Sequence, residues 1–335
     1  MIFLDPINLL LMVFGYFLMF ILASFIAPRV ASKLGSRLTL FSSMLILSLL
    51  IIFSFSFLIF LILQLFSEVY FETFIFIISF VILMNLITYI FSPLIIKLIY
   101  RVEENEEMQK VVDEVKDKLK YKKRLIGGVA HVNFPNAFAF GNFIFGKYVV
   151  VTEGLLKIVD KNELKAVIGH EIGHHLHKDN AIMLIFGLLP SIIYYLGYAL
   201  LTLRDEERKN LMNIGIGIFA IVFSFILQIL ILAFSRLREY FADYEGAKAT
   251  NKEIMQSSLV KIYEFYRKNK TSIESEQNIG KTLFIYAFLD AIANPLVSRE
   301  TIEKIKREKV SPLEEFLSSH PPISKRLKFL DSIKL

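Results

Sequence analysis

Apolar and polar positions fall in long blocks along this chain. Five blocks are almost wholly apolar: residues 9–27, 38–66, 74–100, 181–203 and 211–234. Each reaches the roughly 20 residues that a helix needs to cross a hydrocarbon layer, so five membrane-spanning helices are predicted. The second and third exceed that length and are expected to tilt or project. Pro93 and Pro190 are candidate kinks in the third and fourth.

Between the third and fourth blocks the pattern shortens. Residues 103–119 place Met108, Val111, Val112, Val115 and Leu119 among charges, the spacing of an amphipathic helix. Strand signals follow at 125–132, at 136–140, and at 143–151 with a glycine break at Gly146; Gly141-Asn142 is the predicted turn. Asp160 and Glu163 then form a capping box, and Leu164, Val167, Ile168 and Ile172 recur near helical period. Beyond the last apolar block, Thr250 with Glu253 predicts a helix to about residue 267, residues 281–293 another, and 312–317 and 324–333 shorter ones. Residues 271–280 are polar and expected to be mobile. The expected fold is therefore a mainly α membrane protein: three spans in 1–100, a first polar segment with a small sheet in 101–180, a hairpin of spans in 181–234, and a second polar segment in 235–335.

Composition agrees with the membrane reading. Of 335 residues 55% are hydrophobic and 32 are Phe, and the mean hydropathy of +0.54 does not suit a soluble protein. The net charge of +6 is modest, and acidic residues are mixed among the basic ones from residue 101 onward, so a juxtamembrane bias explains it better than nucleic-acid binding. No basic stretch precedes the first apolar block, where Asp5-Pro6 stands instead, so it is expected to be a retained span and not a cleaved signal. Arg29, Lys33 and Arg37 follow the first block, whereas Glu68 and Glu72 follow the second. The positive-inside rule then puts the amino terminus outside and both polar segments, with the carboxy terminus, in the cytoplasm. The absence of cysteine excludes disulfides, thiolate ligands and cysteine catalysis.

The candidate chemistry lies in His170-Glu171-Ile172-Gly173-His174. Four residues apart on a helix, His170 and His174 share a face and can offer two imidazole nitrogens to one metal ion, with Glu171 beside them. Neutral imidazoles suit zinc, and an open position lets zinc acidify a water, whose proton Glu171 would take and pass to a leaving amine. His175 and His177 lie off that face and are read as polar surface or supporting groups. A third protein ligand is still needed. Glu239 is the candidate, with Asp243 one turn on to hold the free ring N–H of a ligand histidine. Such a carboxylate pair is common on solvated helices; what favours Glu239 is the hairpin, which returns it to the side and depth of His174. An exposed edge of the small sheet could accept an extended peptide by backbone pairing, with Asn136 offering an amide at one end; Asn136 after Pro135 is also an ordinary turn residue.

His-Glu-Ile-Gly-His followed by Ser-Arg-x-x-Glu-Tyr-x-Ala-Asp, preceded by Asn-Ala-Phe-Ala and followed by His-Pro-Pro with a later Arg, resembles the HtpX-like membrane zinc metalloproteases. It is more distantly similar to the CAAX prenyl endopeptidases of the same superfamily. The similarity covers about residues 136–326. It implies a gluzincin-type α+β catalytic domain, one zinc ion, and endopeptidase action on membrane proteins, often damaged or misassembled ones. It also implies His170, His174 and Glu239 as metal ligands, Glu171 as catalytic and Asp243 in support. It also implicates His320 and Arg326, and Asn136, Ala137 and Phe138 are expected to contact substrate. A positioned His320 would hydrogen-bond a developing oxyanion; without the resemblance, a His before two prolines reads as a turn residue. The chain departs from bacterial members in having three spans, not one hairpin, before the catalytic segment.

The expected function is thus a multi-pass zinc endopeptidase of the cell membrane, acting in protein quality control on polypeptide substrates, with the lipid bilayer as its other partner and no nucleic acid. A prenyl-protein endopeptidase is the enzymatic rival, disfavoured by five spans where an enclosing chamber needs more. Intramembrane cleavage is disfavoured because Lys161, Glu163, Lys165 and Lys178 make the motif helix wet. A transporter or silent scaffold is the rival of another class; the spans hold almost no ionisable residues to mark an ion path.

Overall fold

The computed structural model describes residues 71–202, 211–268, 299–308, 318 and 320–335, with five isolated positions between 44 and 55. The predicted first span, nearly all of the second, the loop at 204–210, and the expected features at 271–280, 281–293 and 312–317 lie outside the described residues.

The first helix described over its whole length is α1 (Phe71–Ile99). Strand β1 (Val102–Glu104), helix α2 (Glu106–Lys118), and strands β2 (Ile126–Ala130), β3 (Ala137–Asn142) and β4 (Gly146–Thr152) follow. A single turn, α3 (Glu153–Leu156), leads to α4 (Lys161–Leu176), α5 (Asp179–Thr202) and α6 (Leu211–Ala249). Helices α7 (Lys252–Lys268), α8 (Arg299–Lys306) and α9 (Ile323–Ser332) close the chain. Among the described residues three helical stretches are long and apolar enough to span a membrane: Ile75–Ile99, Ala181–Leu201 and Ile214–Ala249. Pro93 and Pro190 lie inside α1 and α5.

The four strands form one mixed sheet in the order β1-β2-β4-β3, with β2 and β4 parallel and the outer pairs antiparallel. The predicted amphipathic helix starts later than its pattern implied. Val102, Glu103 and Glu104 pair with Ala130, Val129 and Gly128 as β1, and Asn105 caps α2 by accepting from the Met108 N–H. Met108, Val112, Val115 and Leu119 then bury together with Leu125, Val129, Val149 and the apolar side of α4. The hairpin turn is also displaced. Gly141 and Asn142 still pair with Lys147 and Gly146, so the turn falls at residues 143–145. The reason is Asn142, whose Oδ1 accepts the Ile144 and Phe145 N–H groups, while Gly141 and Gly146 take the positive φ values the ladder needs there. On α7 the cap is Asn251, accepting from the Ile254 N–H, and not Thr250, whose hydroxyl donates to the Gly246 carbonyl. Helix α8 was not anticipated from the sequence; its charged pattern buries only Ile302, Ile305 and the stem of Lys306.

Two close helix crossings set the architecture. In α5 and α6, a Cβ built on Gly197 would stand 2.8 Å from the Gly217 carbonyl, and one on Gly217 would stand 2.8 Å from the Gly197 carbonyl. Small residues here let two membrane helices touch backbone to backbone. In α4 and α6, a Cβ on Gly169 would lie 2.5 Å from Ala249 Cβ, and one on Gly246 2.8 Å from the Ala166 carbonyl. This second crossing brings the H-E-x-x-H face against the far end of α6.

Candidate metal centre

Helix α4 begins as the sequence implies. The Asp160 carboxylate accepts the Asn162 and Glu163 N–H groups, and Glu163 Oε2 accepts the Asp160 N–H at 2.8 Å. Glu163 is itself buried and also takes hydrogen bonds from Ser257 (2.7 Å) and Lys261 (2.6 Å) of α7. The capping box therefore fixes the helix start and docks α7 onto it. At its other end α4 stops at Leu176; Lys178 adopts φ 57, and Asp179 opens α5. The chain turns between the motif and the span instead of continuing as one helix.

On α4, His170 and His174 place their Nε2 atoms 3.2 Å apart. Glu239, on α6, reaches them with Oε2 3.7 Å from His170 Nε2 and Oε1 3.6 Å from His174 Nε2. All three residues offer ligand atoms within 4.8 Å of one another. The opposite ring nitrogens are tied to carboxylates. His170 Nδ1 lies 3.0 Å from Asp243 Oδ1, and His174 Nδ1 2.6 Å from Asp179 Oδ2. Each carboxylate has its own cation: Arg326 grips Asp243 through Nε (2.8 Å) and Nη2 (2.5 Å), and Arg238 Nε stands 2.9 Å from Asp179 Oδ1.

With His174 Nδ1–H donated outward to Asp179 and His170 Nδ1 facing Asp243, both Nε2 lone pairs face each other and the buried Glu239 carboxylate. Acceptors alone cannot satisfy one another in a buried site. A cation among them resolves the conflict, and two nitrogens on a tetrahedral zinc are about 3.3 Å apart, near the spacing seen. The same excess of negative charge shows on His174. Burial works against its charge, yet the Asp179 carboxylate and Glu239 raise its pKa to about 9. A proton can serve one of these nitrogens; a metal ion could be held by all three side chains at once. The donor set of two imidazoles and one carboxylate is that of a catalytic zinc site.

Glu171 is buried on the same helix, between the two histidines in sequence. His320, from the carboxy-terminal segment, sets Nδ1 2.9 Å from Glu239 Oε2, and Arg326 Nη1 stands 3.7 Å from the same oxygen. The turn carrying His320 is held from α6, where the buried Arg236 donates to the Ser318 carbonyl at 2.7 Å. Asn136 uses its backbone to bond Thr152, accepting the Thr152 N–H and donating its own N–H to the Thr152 hydroxyl. It thereby anchors the start of β3, an edge strand that packs against α4. Ala137 is half-buried there, and the Phe138 side chain turns into the core beside Tyr100 and Phe140.

Two site residues were missed from the sequence. Asp179 and Arg238 hold His174 from the first turn of α5 and from α6; the only available signal was an acid opening the fourth apolar block. Burial is the correction for His175, which is not a surface group. It is enclosed, and the loss of water lowers its pKa to about 4, so the neutral ring donates from Nε2 to the Tyr148 carbonyl at 2.9 Å and locks α4 to β4. His177 is half-buried, 3.9 Å from Glu245 Oε1 and against the Phe241 ring.

A helical H-E-x-x-H, a glutamate delivered by a later helix, and membrane-length helices on both sides of the motif together define a membrane metallopeptidase. Residues 102–334 match peptidase family M48. The chain belongs to that family. Over 99% of its length it is 49% identical to a "Protease HtpX homolog" of Archaeoglobus fulgidus, of which it covers 98%. Over the same share it is 45% identical to a "Protease HtpX homolog" of Pyrobaculum calidifontis, again covering 98%. Among solved structures, the crystal structure of S. mikatae Ste24p aligns with a TM-score of 0.51 at 17% identity, covering 89% of this chain and 68% of that one, a likeness of fold.

Proposed function

We propose that this protein is an integral membrane zinc endopeptidase whose site faces the cytoplasm and whose substrates are misfolded or damaged membrane proteins. The observation that carries the reading is the meeting of His170, His174 and Glu239 around a shared space, with Glu171 on the same helix. Two imidazoles and a glutamate would hold the ion. Zinc, when bound there, supplies a Lewis acid that polarises the scissile carbonyl and makes water more acidic.

The chain's own residues do the rest. Glu171 takes a proton from the attacking water and returns it to the leaving amine. Asp243 and Asp179 keep the His170 and His174 rings in the tautomer that presents Nε2. His320, held through Nδ1 by Glu239, keeps Nε2 to offer the developing oxyanion, and Arg326 steadies Asp243. The free edge of β3 accepts an extended segment by main-chain pairing, with Asn136 and Ala137 at its start. Five spans, with the catalytic unit split into residues 101–180 and 235–335 around the hairpin, follow from the lengths of the apolar blocks, and the outside amino terminus from the charge pattern of the loops. The similarity to proteins described as protease HtpX homologs supports proteolysis, and action on damaged or misassembled membrane proteins is what the sequence resemblance implies.

The test is a Glu171→Gln variant in nanodiscs beside wild type, with an unfolded membrane protein as substrate. Zinc content should stay at one ion per chain while cleavage falls by about 10²–10⁴. His170→Ala and Glu239→Ala should lose the metal. Wild-type cleavage rates in the Glu171→Gln variant would refute the assignment.

A further inference from the structure

Among the described residues the most exposed large apolar side chain is not on a membrane helix. It is Phe143, 83% exposed at the tip of the β3–β4 hairpin, with Ile144 beside it at 49%. A water-facing turn seldom carries Phe-Ile-Phe, since turn chemistry favours small polar residues. The position of the tip explains it. Asn142, only 2% exposed, donates from Nδ2 to the Tyr89 and Ile90 carbonyls of α1, at 2.9 Å each, and the Phe145 ring lies 6.5 Å from that of Phe91. Those α1 residues are well inside the span Ile75–Ile99, on which most side chains, Phe91 among them, are exposed among the described residues.

Two pairs back from the turn, the hairpin marks the water boundary. Lys97, near the end of α1, donates to the Tyr148 hydroxyl of β4 at 3.3 Å and pairs with Glu104 at 3.4 Å. Lysine and tyrosine are the residues that sit at headgroup level. From Lys97 back to Ile90 is seven residues, or about 10 Å along the helix. The tip thus lies about that far on the lipid side of the Lys97–Tyr148 level, the depth at which interfacial elements bury their apolar face.

Backbone in that zone cannot rely on water for its hydrogen bonds. Here the Ile144 and Phe145 N–H groups are satisfied within the turn by Asn142 Oδ1, at 3.0 and 2.9 Å. One buried amide therefore closes the turn and bolts it to a span. We propose that residues 143–145 are a lipid anchor, inserted into the headgroup and acyl boundary of the bilayer alongside α1, so that the catalytic sheet is fixed to the membrane at a second point besides its helices. The occupant is lipid because the tip continues the lipid-facing surface of α1.

The absence of native cysteine makes the test direct. Phe143→Cys and, separately, Ile144→Cys carry an environment-sensitive fluorophore on the full chain in phosphatidylcholine nanodiscs. Leu83→Cys on the exposed face of α1 and Lys110→Cys on α2 are the lipid and water references. Both tip labels should be quenched severalfold by brominated lipid, as at Leu83, and escape aqueous iodide, to which Lys110 is open. Iodide quenching as strong as at Lys110 would overturn the proposal. Shielding from both quenchers would overturn it too, because another protein segment would then cover the tip.

Discussion

At the residue scale, the buried pair Asp179 and His174 carries the most consequence. Asp179 is 1% exposed, opens a membrane-length helix, and takes the ring N–H of a histidine that faces Glu239. Its partner Arg238 comes from the other helix of the hairpin, so one carboxylate joins both spans to a candidate ligand. Asp179→Asn keeps the shape and removes the charge, and metal affinity should fall 10–100-fold in a chelator competition while the helical signal is retained. His131 makes a simpler prediction. It bridges Glu153 at 2.7 Å and Glu103 at 3.2 Å, contacts that raise its pKa above the ordinary 6.5. A raised folded pKa stabilises fully below 6.5, and that contribution is lost as pH rises through the folded value. Thermal melts of His131→Gln against wild type should therefore differ at pH 6 and converge by pH 9, by a small amount because the site is exposed.

At the element scale, the α4–α6 crossing decides whether the site exists. Three histidine and glutamate side chains on two helices meet only because Gly169, Gly173 and Gly246 let the backbones approach. Gly169→Ala puts a methyl group 2.5 Å from Ala249 Cβ, which has no flexible end to move aside. The helices must part, at a cost of about 1–3 kcal/mol. A lower melting temperature and at least tenfold weaker zinc binding are expected, with the far-UV spectrum unchanged. The capping box at Asp160 and Glu163 and the near-helical spacing of Leu164, Val167, Ile168 and Ile172 were readable locally, since both depend on neighbours within about a helical turn. The late start of α2 was not, because β1 exists only through its pairing with β2, some 25 residues on. The displaced hairpin turn has the same cause: Asn142 is recruited by α1, far away in sequence.

At the scale of the whole molecule, the metal site is the point where separate parts of the chain are tied together. α4 supplies two histidines, α6 a glutamate and an aspartate, and the carboxy-terminal segment His320 and Arg326, which meets Asp243 through two hydrogen bonds. Such a junction links ligand binding to stability. Removing zinc with a chelator should lower the melting temperature in nanodiscs, and restoring it to 100 times its Kd should return about 2.7 kcal/mol. If the melting temperature did not respond to zinc, the ion would not be bridging these segments. The lipid anchor belongs to the same scale, because it would hold the sheet in register with the helices that bear the metal ligands.

The sequence by itself determined what rests on short range: the apolar lengths that can span a bilayer, the capping box, the amphipathic spacing of α2, and two histidines four apart with a glutamate beside them. Periodicity and hydrogen-bond chemistry within a turn or two are written directly in neighbouring letters. It singled out Glu239 and Asp243 only with the help of hairpin geometry and a resemblance. Tertiary structure alone decided that Asp179 and Arg238 belong to the site, that His175 is a buried strut, that His320 leans on Glu239, and that an apolar turn lies against α1. Those outcomes depend on how closely distant backbones approach, and glycines at two crossings set that distance without leaving any periodic trace.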